Sequence, residues 1–447
     1  MRIQIAEPEA FTTVLKTHLG VTPSSPITGI STDSRECQVG DLYIAIRGER
    51  TDGHKFILQA NENGAVACLA DHEVSVISGM ELFIVEKPVE TLGAFARSYR
   101  RLFNIPLIGI TGSNGKTSTK ELLKHILSVD EKVHATSGNF NTSIGLPLTI
   151  FQISYDHTFS ILEMGASQPG EIAYLCSISE PTHGLITNIN SSHLEGFGSL
   201  DEIAKTKGAL FEALADGIAF VNKADDLIRK MNLPGKGISY GLTPDCDYPA
   251  DIHHEKDGSI TLTIDSYEIA TASQNLSFIK NVIAASAVCA HFGIDWKTFE
   301  NQVQSFQAPK GRCEVTQMNQ VTIIDDTYNA NLSSTVAAID YLKAFSGNGR
   351  NIFVFGDMLE LGNESISHHR KVGEHCSKKK LDAVFTIGNN TRETNEAINS
   401  GIFHKHFDSK HDLSEELKVW IQEGDKILVK GSRGMLMETI LRDLETK

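Results

Sequence analysis

Short apolar runs rich in β-branched and aromatic residues alternate with longer stretches of helical period along nearly the whole chain. That alternation predicts α/β units built on mostly parallel sheets. LYIAI (42–46), AVACL (65–69) and LFIV (82–85) read as strands of a first unit, and PVETLGAFARSYRRLF (88–103) as its helix, with Pro88 suited to a first helical turn. Asn104-Ile105-Pro106 breaks that helix and opens the strand PLIGI (106–110), which sets a first boundary. A second series runs through FSILEM (159–164), HGLITNI (183–189) and IAFVN (218–222). SITLTI (259–264) and YEIATA (267–272) alternate with period 2 around Asp265-Ser266, which predicts an antiparallel hairpin appended to the sheet. A helical stretch (279–292) and the Pro-containing QAPKGR (307–312) mark a second boundary. A third series follows: VTIIDD (321–326), NIFVFGD (351–357), AVFTIG (383–388) and KILVKGS (426–432). The expected units are 1–104, 105–308 and 309–447.

The length of 447 residues agrees with three domains at about 100–200 residues each. With 41 Lys and Arg against 56 Asp and Glu, the chain carries a net charge of −15, which argues against a nucleic-acid-binding surface. Seven cysteines without a C-x-x-C pair disfavour both a disulfide framework and a zinc ribbon, and point to a reducing, cytoplasmic setting. The start, MRIQIAEPEAF, has no apolar core of a signal peptide, and the longest apolar stretch, VIAASAVCAHF (282–292), is too short for a span of roughly 20 residues, so no membrane insertion is expected.

In open α/β sheets ligands bind at the carboxyl ends of the strands, so chemistry is sought there. PLIGITGSNGKTSTKELLKHIL (106–127) is a strand, a turn and a helix. Thr111, Gly112, Ser113, Asn114 and Gly115 form the turn; Lys116, Thr117 and Ser118 open the helix. Such a loop aims backbone N–H groups and a helix N-terminus at phosphate, with Lys116 reaching the β- and γ-phosphates and the Thr117 hydroxyl available to Mg²⁺. The full G-x-x-x-x-G-K-[ST] pattern is not met, because Ile110 stands where its first glycine belongs; an ordinary glycine-rich turn is the alternative. Glu163 ends a strand, as a Mg²⁺ carboxylate would, or caps the next turn. His193 reads as a structural hydrogen-bonder or an unusual nitrogen ligand for Mg²⁺. Lys207 reads as a solvated helical lysine within 201–214. TSGNFNTSIGLP (136–147), DDTYNAN (325–331), GDMLELG (356–362) and KGSRGM (430–435) are four more polar strand ends, each also explicable as a loop or helix cap. No G-x-G-x-x-G follows a strand and no G-x-S-x-G is present, which disfavours a dinucleotide cofactor and a serine hydrolase; HEVSV (72–76) lacks the second histidine of H-E-x-x-H.

Taken together, the blocks DSRECQVGDLYIAIRGERTDGHKFI (33–57), TGSNGKTSTKE, TSGNFNTSIGLPLTI, LEMGAS (162–167), ITNINSSHLEGFGS (186–199), KTKGALFEAL, DDTYNAN, FGDMLELG and LVKGSRGMLME resemble the Mur ligases over nearly the whole chain. The resemblance implies a small α/β N-terminal domain for the UDP-sugar, a central P-loop ATPase-like parallel sheet with the appended hairpin, and a C-terminal Rossmann-like domain that closes over ATP and holds the incoming dipeptide. It implies a cytoplasmic, ATP- and Mg²⁺-dependent amide ligase of peptidoglycan precursor synthesis, and so of cell wall biogenesis, cell shape and division, acting as a monomer on small molecules. GDMLELG, in place of a D-N-P-R-type motif, favours the branch that joins D-alanyl-D-alanine to UDP-N-acetylmuramoyl-tripeptide through an acyl phosphate. A sister ligase adding the third residue, or one extending folate with glutamate, is the nearest alternative, and a P-loop switch a more distant one.

By the same resemblance Ser34 and Arg35 help hold the UDP-sugar precursor, and Asn139, Asn141 and Thr142 contact substrate. Residues 111–118, Asn281, Arg312, Asp326 and Tyr328 surround ATP. Thr117 and Glu163 ligate one Mg²⁺, His193 serves a second, and Lys207 matches a lysine carbamoylated in the family, giving it an oxygen to offer the metal. Lys116, Glu163, His193 and Lys207 make up the implied catalytic group, and Lys430 and Arg433 face the cleft to bind the dipeptide. Two departures stand out. The family's G-x-H-N-x-x-N-x-x-A-A is here NLSFIKNVIAA (275–285), which keeps Asn281 but loses the glycine and the His-Asn pair, and the D-x-Y-N-A-N block is followed by Leu332 instead of proline.

Overall fold

The structure, a computed structural model, describes residues 1–48, 51–74, 78–345, 347 and 349–445; Glu49 and Arg50 of the first family block and the end of HEVSV (72–76) lie outside the described residues. Three sheets follow one another along the chain. The first holds β1 (Arg2–Gln4), β2 (Gly29–Ser31), β3 (Asp41–Ile44), β4 (Ala67–Ala70) and β5 (Glu81–Ile84) in that spatial order, parallel except for the antiparallel β1–β2 pair. The second is built from β6 (Leu107–Thr111), β7 (Val133–Ala135), β8 (Phe159–Glu163), β9 (His183–Ile186), β10 (Ile218–Asn222), β11 (Lys236–Gly241), β12 (Tyr248–His254), β13 (Ile260–Ile264) and β14 (Tyr267–Ala270). Its order is β14-β13-β12-β11-β10-β9-β6-β8-β7, and only the β12–β13–β14 meander is antiparallel. The third holds β15 (Glu314–Met318), β16 (Val321–Asp326), β17 (Asn351–Gly356), β18 (Ala383–Ile387), β19 (Phe403–Phe407) and β20 (Lys426–Lys430), ordered β15-β16-β20-β17-β18-β19 with β15 antiparallel at the edge.

The central strands are continuous apolar runs because helices cover both of their faces. Ile108 and Ile110 of β6 pack with Leu122 and Ile126 of the helix Lys116–Leu127 and with Ile279 of the helix Leu276–His291. Leu107 faces the other way, into a core that also holds Phe11 of the first unit and Phe95 and Tyr99 of the helix Pro88–Arg100. This core runs across the boundary expected at residue 104: the Tyr99 hydroxyl donates to Ile153 O at 2.9 Å and accepts from Glu7 N at 3.1 Å. The first unit is therefore anchored on the second by shared apolar packing. Among the described residues no helix is long and apolar enough to cross a membrane.

β6 lies between β8 and β9, which brings the carboxyl ends Thr111, Glu163 and Ile186 side by side. The chemistry sits along that edge.

Candidate active site

The phosphate-loop segment does what its sequence demands. Gly112 (φ 145°) and Gly115 (φ 80°) take backbone angles that favour glycine, and at Gly112 a Cβ would lie 2.0 Å from Thr187 Oγ1. The loop is clamped onto the strand-end segment after β9: Ser113 N donates to Asn188 O at 2.9 Å, Asn114 N to Asn188 Oδ1 at 3.0 Å, and Thr187 Oγ1 to Asn114 O at 2.6 Å. Two amides counted by sequence as phosphate donors, those of Ser113 and Asn114, are thus engaged internally. The amides of Gly115, Lys116, Thr117 and Ser118 have no partner among the described residues, as the first turn of a helix dictates. They form an anion site backed by the helix N-terminus. Lys116 Nζ donates to Gly112 O at 2.7 Å, and desolvation lowers its pKa.

Glu163 ends β8 beside this loop and is 2% exposed. Asn141 Nδ2 donates to its Oε1 at 2.8 Å, and Thr136 Oγ1 accepts from its backbone N–H at 2.9 Å. Its Oε2 is buried with no partner. Lys120, wholly buried one turn into the loop's helix, donates to Thr136 O and pairs with Glu121 at 2.5 Å, so it props the strand end from behind. Sequence reasoning missed Lys120.

These groups open into a cleft of ≈ 710 Å³ between the second and third units. Asn139, Asn141, Thr142, His193 and Asn281 line it from one side, and Arg312, Asp326, Tyr328 and Lys430 from the other. Arg312 Nη2 donates to Thr117 Oγ1 at 2.8 Å while its guanidinium lies 3.9 Å over the Tyr328 ring. Asn331 Nδ2 donates to Asn114 Oδ1 at 2.7 Å, and Asn114 Nδ2 to Ser333 Oγ at 2.8 Å. His193, in the left-handed region at φ 52°, pairs through Nδ1 with Glu360 of the third unit. Asp326 is held by the buried Lys430, which also donates to Asn329 O at 2.9 Å, so that lysine carries no free charge into the cleft.

Lys207 corrects the solvated reading: on the helix Leu200–Glu212 it is 1% exposed, its Nζ 5.8 Å from the centroid of the Phe197 ring. Burial, helped by repulsion from Lys116, lowers its pKa to about 7. It has no hydrogen-bond or ion-pair partner among the described residues.

Three expected site residues stand elsewhere. Ser34 is buried against Gln59 (Oγ to Oε1, 2.6 Å), and Arg35 is exposed and paired with Asp33, both on the first sheet's loops. Arg433 is exposed and paired with Glu438 at 3.0 Å. Of the four polar strand ends, GDMLELG does not line the cleft: Asp357 accepts from Asn390 N and Thr391 N at the start of the helix Thr391–Glu396, which follows β18, and Glu360 reaches across to His193. The His54–Asp71–His72 cluster in the first unit already holds a cation, the Arg47 guanidinium, 3.3 Å from Asp71 and 3.1 Å from His72.

Family models match in three consecutive stretches: Mur ligase family, catalytic domain, at 26–100; Mur ligase middle domain at 110–289; and Mur ligase, glutamate ligase domain, at 311–433. The UDP-N-acetylmuramoyl-tripeptide–D-alanyl-D-alanine ligase of Synechocystis sp. is 35% identical over 425 residues, covering 94% of this chain and 92% of that one. The chain belongs to the Mur ligase family. Two solved structures agree on the fold of this Mur ligase: MurF from Acinetobacter baumannii (TM-score 0.88, 28% identity, 98% of both chains) and MurF ligase from Thermotoga maritima in complex with ADP (TM-score 0.82, 30% identity, 93% of this chain and 96% of that one).

Proposed function

We propose that this Mur ligase joins D-alanyl-D-alanine to UDP-N-acetylmuramoyl-tripeptide at the expense of ATP, releasing ADP and phosphate, as a cytoplasmic monomer. The relatives it resembles end to end carry that name. The observation that supports it most within the chain is the meeting of four open amides at 115–118 with the unpartnered Oε2 of Glu163. We assign 1–104 to the UDP-sugar, with Ser34 and Arg35 on its loops, 105–308 to ATP, and 309–447 to closure over ATP and to the dipeptide, near Lys430 and Arg433.

The donor set fits Mg²⁺, which takes oxygen ligands: Glu163 Oε2 is buried and unpartnered, and the Thr117 hydroxyl lies at the loop's end. Thr117 and Glu163 would hold one ion, His193, whose Nδ1 is engaged by Glu360, would serve a second through Nε2, and a carbamoylated Lys207 would offer a further oxygen. Bound Mg²⁺ supplies charge neutralisation at the phosphoryl oxygens. The lowered pKa of Lys207 supports carbamoylation, since a neutral amine is what adds CO₂, losing a proton as the carbamate forms.

In the first stage the tripeptide's terminal carboxylate attacks the γ-phosphorus and ADP leaves, giving an acyl phosphate. The amides of 115–118 and Lys116 would stabilise the charge on the phosphates; Asn139, Asn141 and Thr142 would position the peptide; Arg312, Asp326, Tyr328 and Asn281 would hold the nucleotide from the third unit and from the helix over the loop. In the second stage the dipeptide amine attacks the acyl carbon, phosphate departs, and the amine gives up its proton. Closure of the third unit keeps water from the acyl phosphate.

Phosphate release measured over a matrix of nucleotide-sugar peptides and amines tests the reading. The expected result is turnover only with the muramoyl-tripeptide and D-alanyl-D-alanine together; turnover driven by a single amino acid on a shorter peptide would move the chain to a sister activity. Lys116→Ala is expected to stay folded and release no ADP above about one-hundredth of the normal rate, and normal turnover by it would reject the loop assignment.

A further inference from the structure

Glu163 stands where one ladder of the second sheet stops. β7 runs parallel to β8 with Ala135 opposite Ile161, so the register carried one step further sets Thr136 against Leu162. Thr136 N donates to Ile161 O at 3.0 Å, as that register requires. The next rung of a parallel ladder would join Glu163 N to Thr136 O. It is replaced by side chains: Glu163 N donates to Thr136 Oγ1 at 2.9 Å, and Thr136 O accepts from Lys120 Nζ. On the other edge of β8 the ladder is ordinary, with Met164 N donating to Ile110 O at 2.8 Å.

Lys120 comes from the helix Lys116–Leu127, one turn after Lys116, and is wholly buried. A buried ammonium needs partners. Lys120 has the Glu121 carboxylate at 2.5 Å and Thr136 O, so that carbonyl is turned off the ladder toward the helix that carries the phosphate loop. The chain then leaves β7 into the block 136–142, from which Asn141 Nδ2 reaches Glu163 Oε1 at 2.8 Å. The backbone and the carboxylate of Glu163 are therefore both held from the segment that Lys120 grips. Thr117, the other oxygen ligand assigned above, lies on the same helix as Lys120. One lysine ties together the two elements that carry these ligands.

We propose that Lys120, acting through Thr136, is a positioning residue for the metal site: the side-chain rung it creates sets the Glu163 carboxylate in place relative to Thr117. The inference rests on the metal role given above to Glu163 and Thr117. Mg²⁺ demands near-ideal geometry, so a displaced ligand is felt as lost affinity. Groups that orient a ligand carboxylate from behind are worth roughly 10–100-fold in metal affinity.

Electron paramagnetic resonance of Mn²⁺, titrated into the purified full chain with ADP present, reads the bound ion without asking for turnover. Thr136→Val keeps the side-chain volume and the carbonyl but removes the hydroxyl; Thr136→Ser keeps the hydroxyl and removes a methyl. The valine variant should bind Mn²⁺ roughly tenfold or more weakly, and the serine variant as the wild type does. A packing role predicts the reverse order, because serine opens a gap that valine fills, and that order overturns the proposal. Lys120→Met keeps the buried chain and removes the donor, leaving Thr136 O to rejoin the ladder; its loss of Mn²⁺ should match that of Thr136→Val. The double variant should lose no more than the worse single one, since both break one path, and additive losses overturn the proposal. Thermal unfolding checks the fold of each variant, and the two Thr136 variants decide alone if Lys120→Met does not fold. Glu163→Gln separates this inference from the reading beneath it. Unchanged Mn²⁺ binding by Glu163→Gln removes the metal role of Glu163 and the positioning with it. Loss of the ion in Glu163→Gln, with wild-type binding in Lys120→Met and Thr136→Val, keeps the metal role and overturns the positioning alone.

Discussion

Glu163 and Lys207 are both buried, and neither charge is fully answered. The carboxylate has one oxygen held by Asn141 and the other unpartnered, and the amine, set over the Phe197 ring, has no hydrogen-bond or ion-pair partner among the described residues. Buried polar groups without partners are costly, and a binding site is one place where that cost persists. For Lys207 the cost is measurable. Its folded-state pKa of about 7 lies below the ordinary 10.5, so between those values the unfolded chain binds the extra proton and stability rises with pH. Below pH 7 both states are protonated, and the penalty is present in full. Lys207→Met removes it. In metal-free, bicarbonate-free buffer the variant's advantage in unfolding free energy should be largest below pH 7 and shrink toward pH 10, by at most about 1.4 kcal/mol per pH unit. Denaturant unfolding across that range decides it; equal pH slopes for the two proteins would put the amine in solvent.

At the scale of elements, the turn between β6 and its helix works because a glycine sits where the chain must turn left-handed beneath another helix. Gly115 has φ 80°, and Asn281 Oδ1 occupies the place a side chain would need. Gly115→Ala should cost about 1–2 kcal/mol from the backbone angle alone, seen as a lower Tm, and should weaken nucleotide binding. Adding Asn281→Ala relieves the contact and leaves the strain, so the double variant should recover only part of the lost stability. Full recovery would mean that the angle costs nothing. This strand–turn–helix was legible in the sequence despite the missing first glycine, because the buried run PLIGI and the amphipathic helix flank it. So was the antiparallel β13–β14 hairpin, whose period-2 pattern survives in the alternating burial of β13. Short strands were not legible: β1, β2 and β7 have three residues each, too few for a period to show, and the edge strands β15 and β19 are too polar. Leu332 proved harmless, since it opens a helix already capped by Asn331 with Ser334, a position where proline is favoured but not required. The polar block 136–142 and Glu163 were found by their place at strand ends. Lys120 and Glu360 were not, because a lysine inside a helix and an acid in a turn look like solvated residues until packing buries the one and a second unit meets the other.

For the whole molecule, the cleft exists because the third unit rests against the phosphate loop through a few contacts of unequal strength. The exposed one is His193 with Glu360, whose carboxylate side chain is 62% exposed; such a pair contributes roughly 0–1 kcal/mol. The half-buried ones are Asn114, bonded to Asn331 and Ser333, and Arg312, which donates to Thr117 and stacks on Tyr328 at once. A planar guanidinium can do both and a lysine cannot. Arg312 is thereby the charged contact at which an occupied phosphate loop is expected to be coupled to closure. Arg312→Lys keeps the charge and should shift the chain toward an open arrangement, read as a larger radius of gyration in small-angle X-ray scattering. It should also raise the KM for ATP by about tenfold, the loss of one charge-assisted contact of roughly 1.5 kcal/mol. Glu360→Gln should leave both quantities within about twofold of the wild type, because water already screens the pair it weakens. If Glu360→Gln opens the molecule as far as Arg312→Lys does, closure is governed by the rim at His193 as much as by the loop, and Arg312 loses its special place in it.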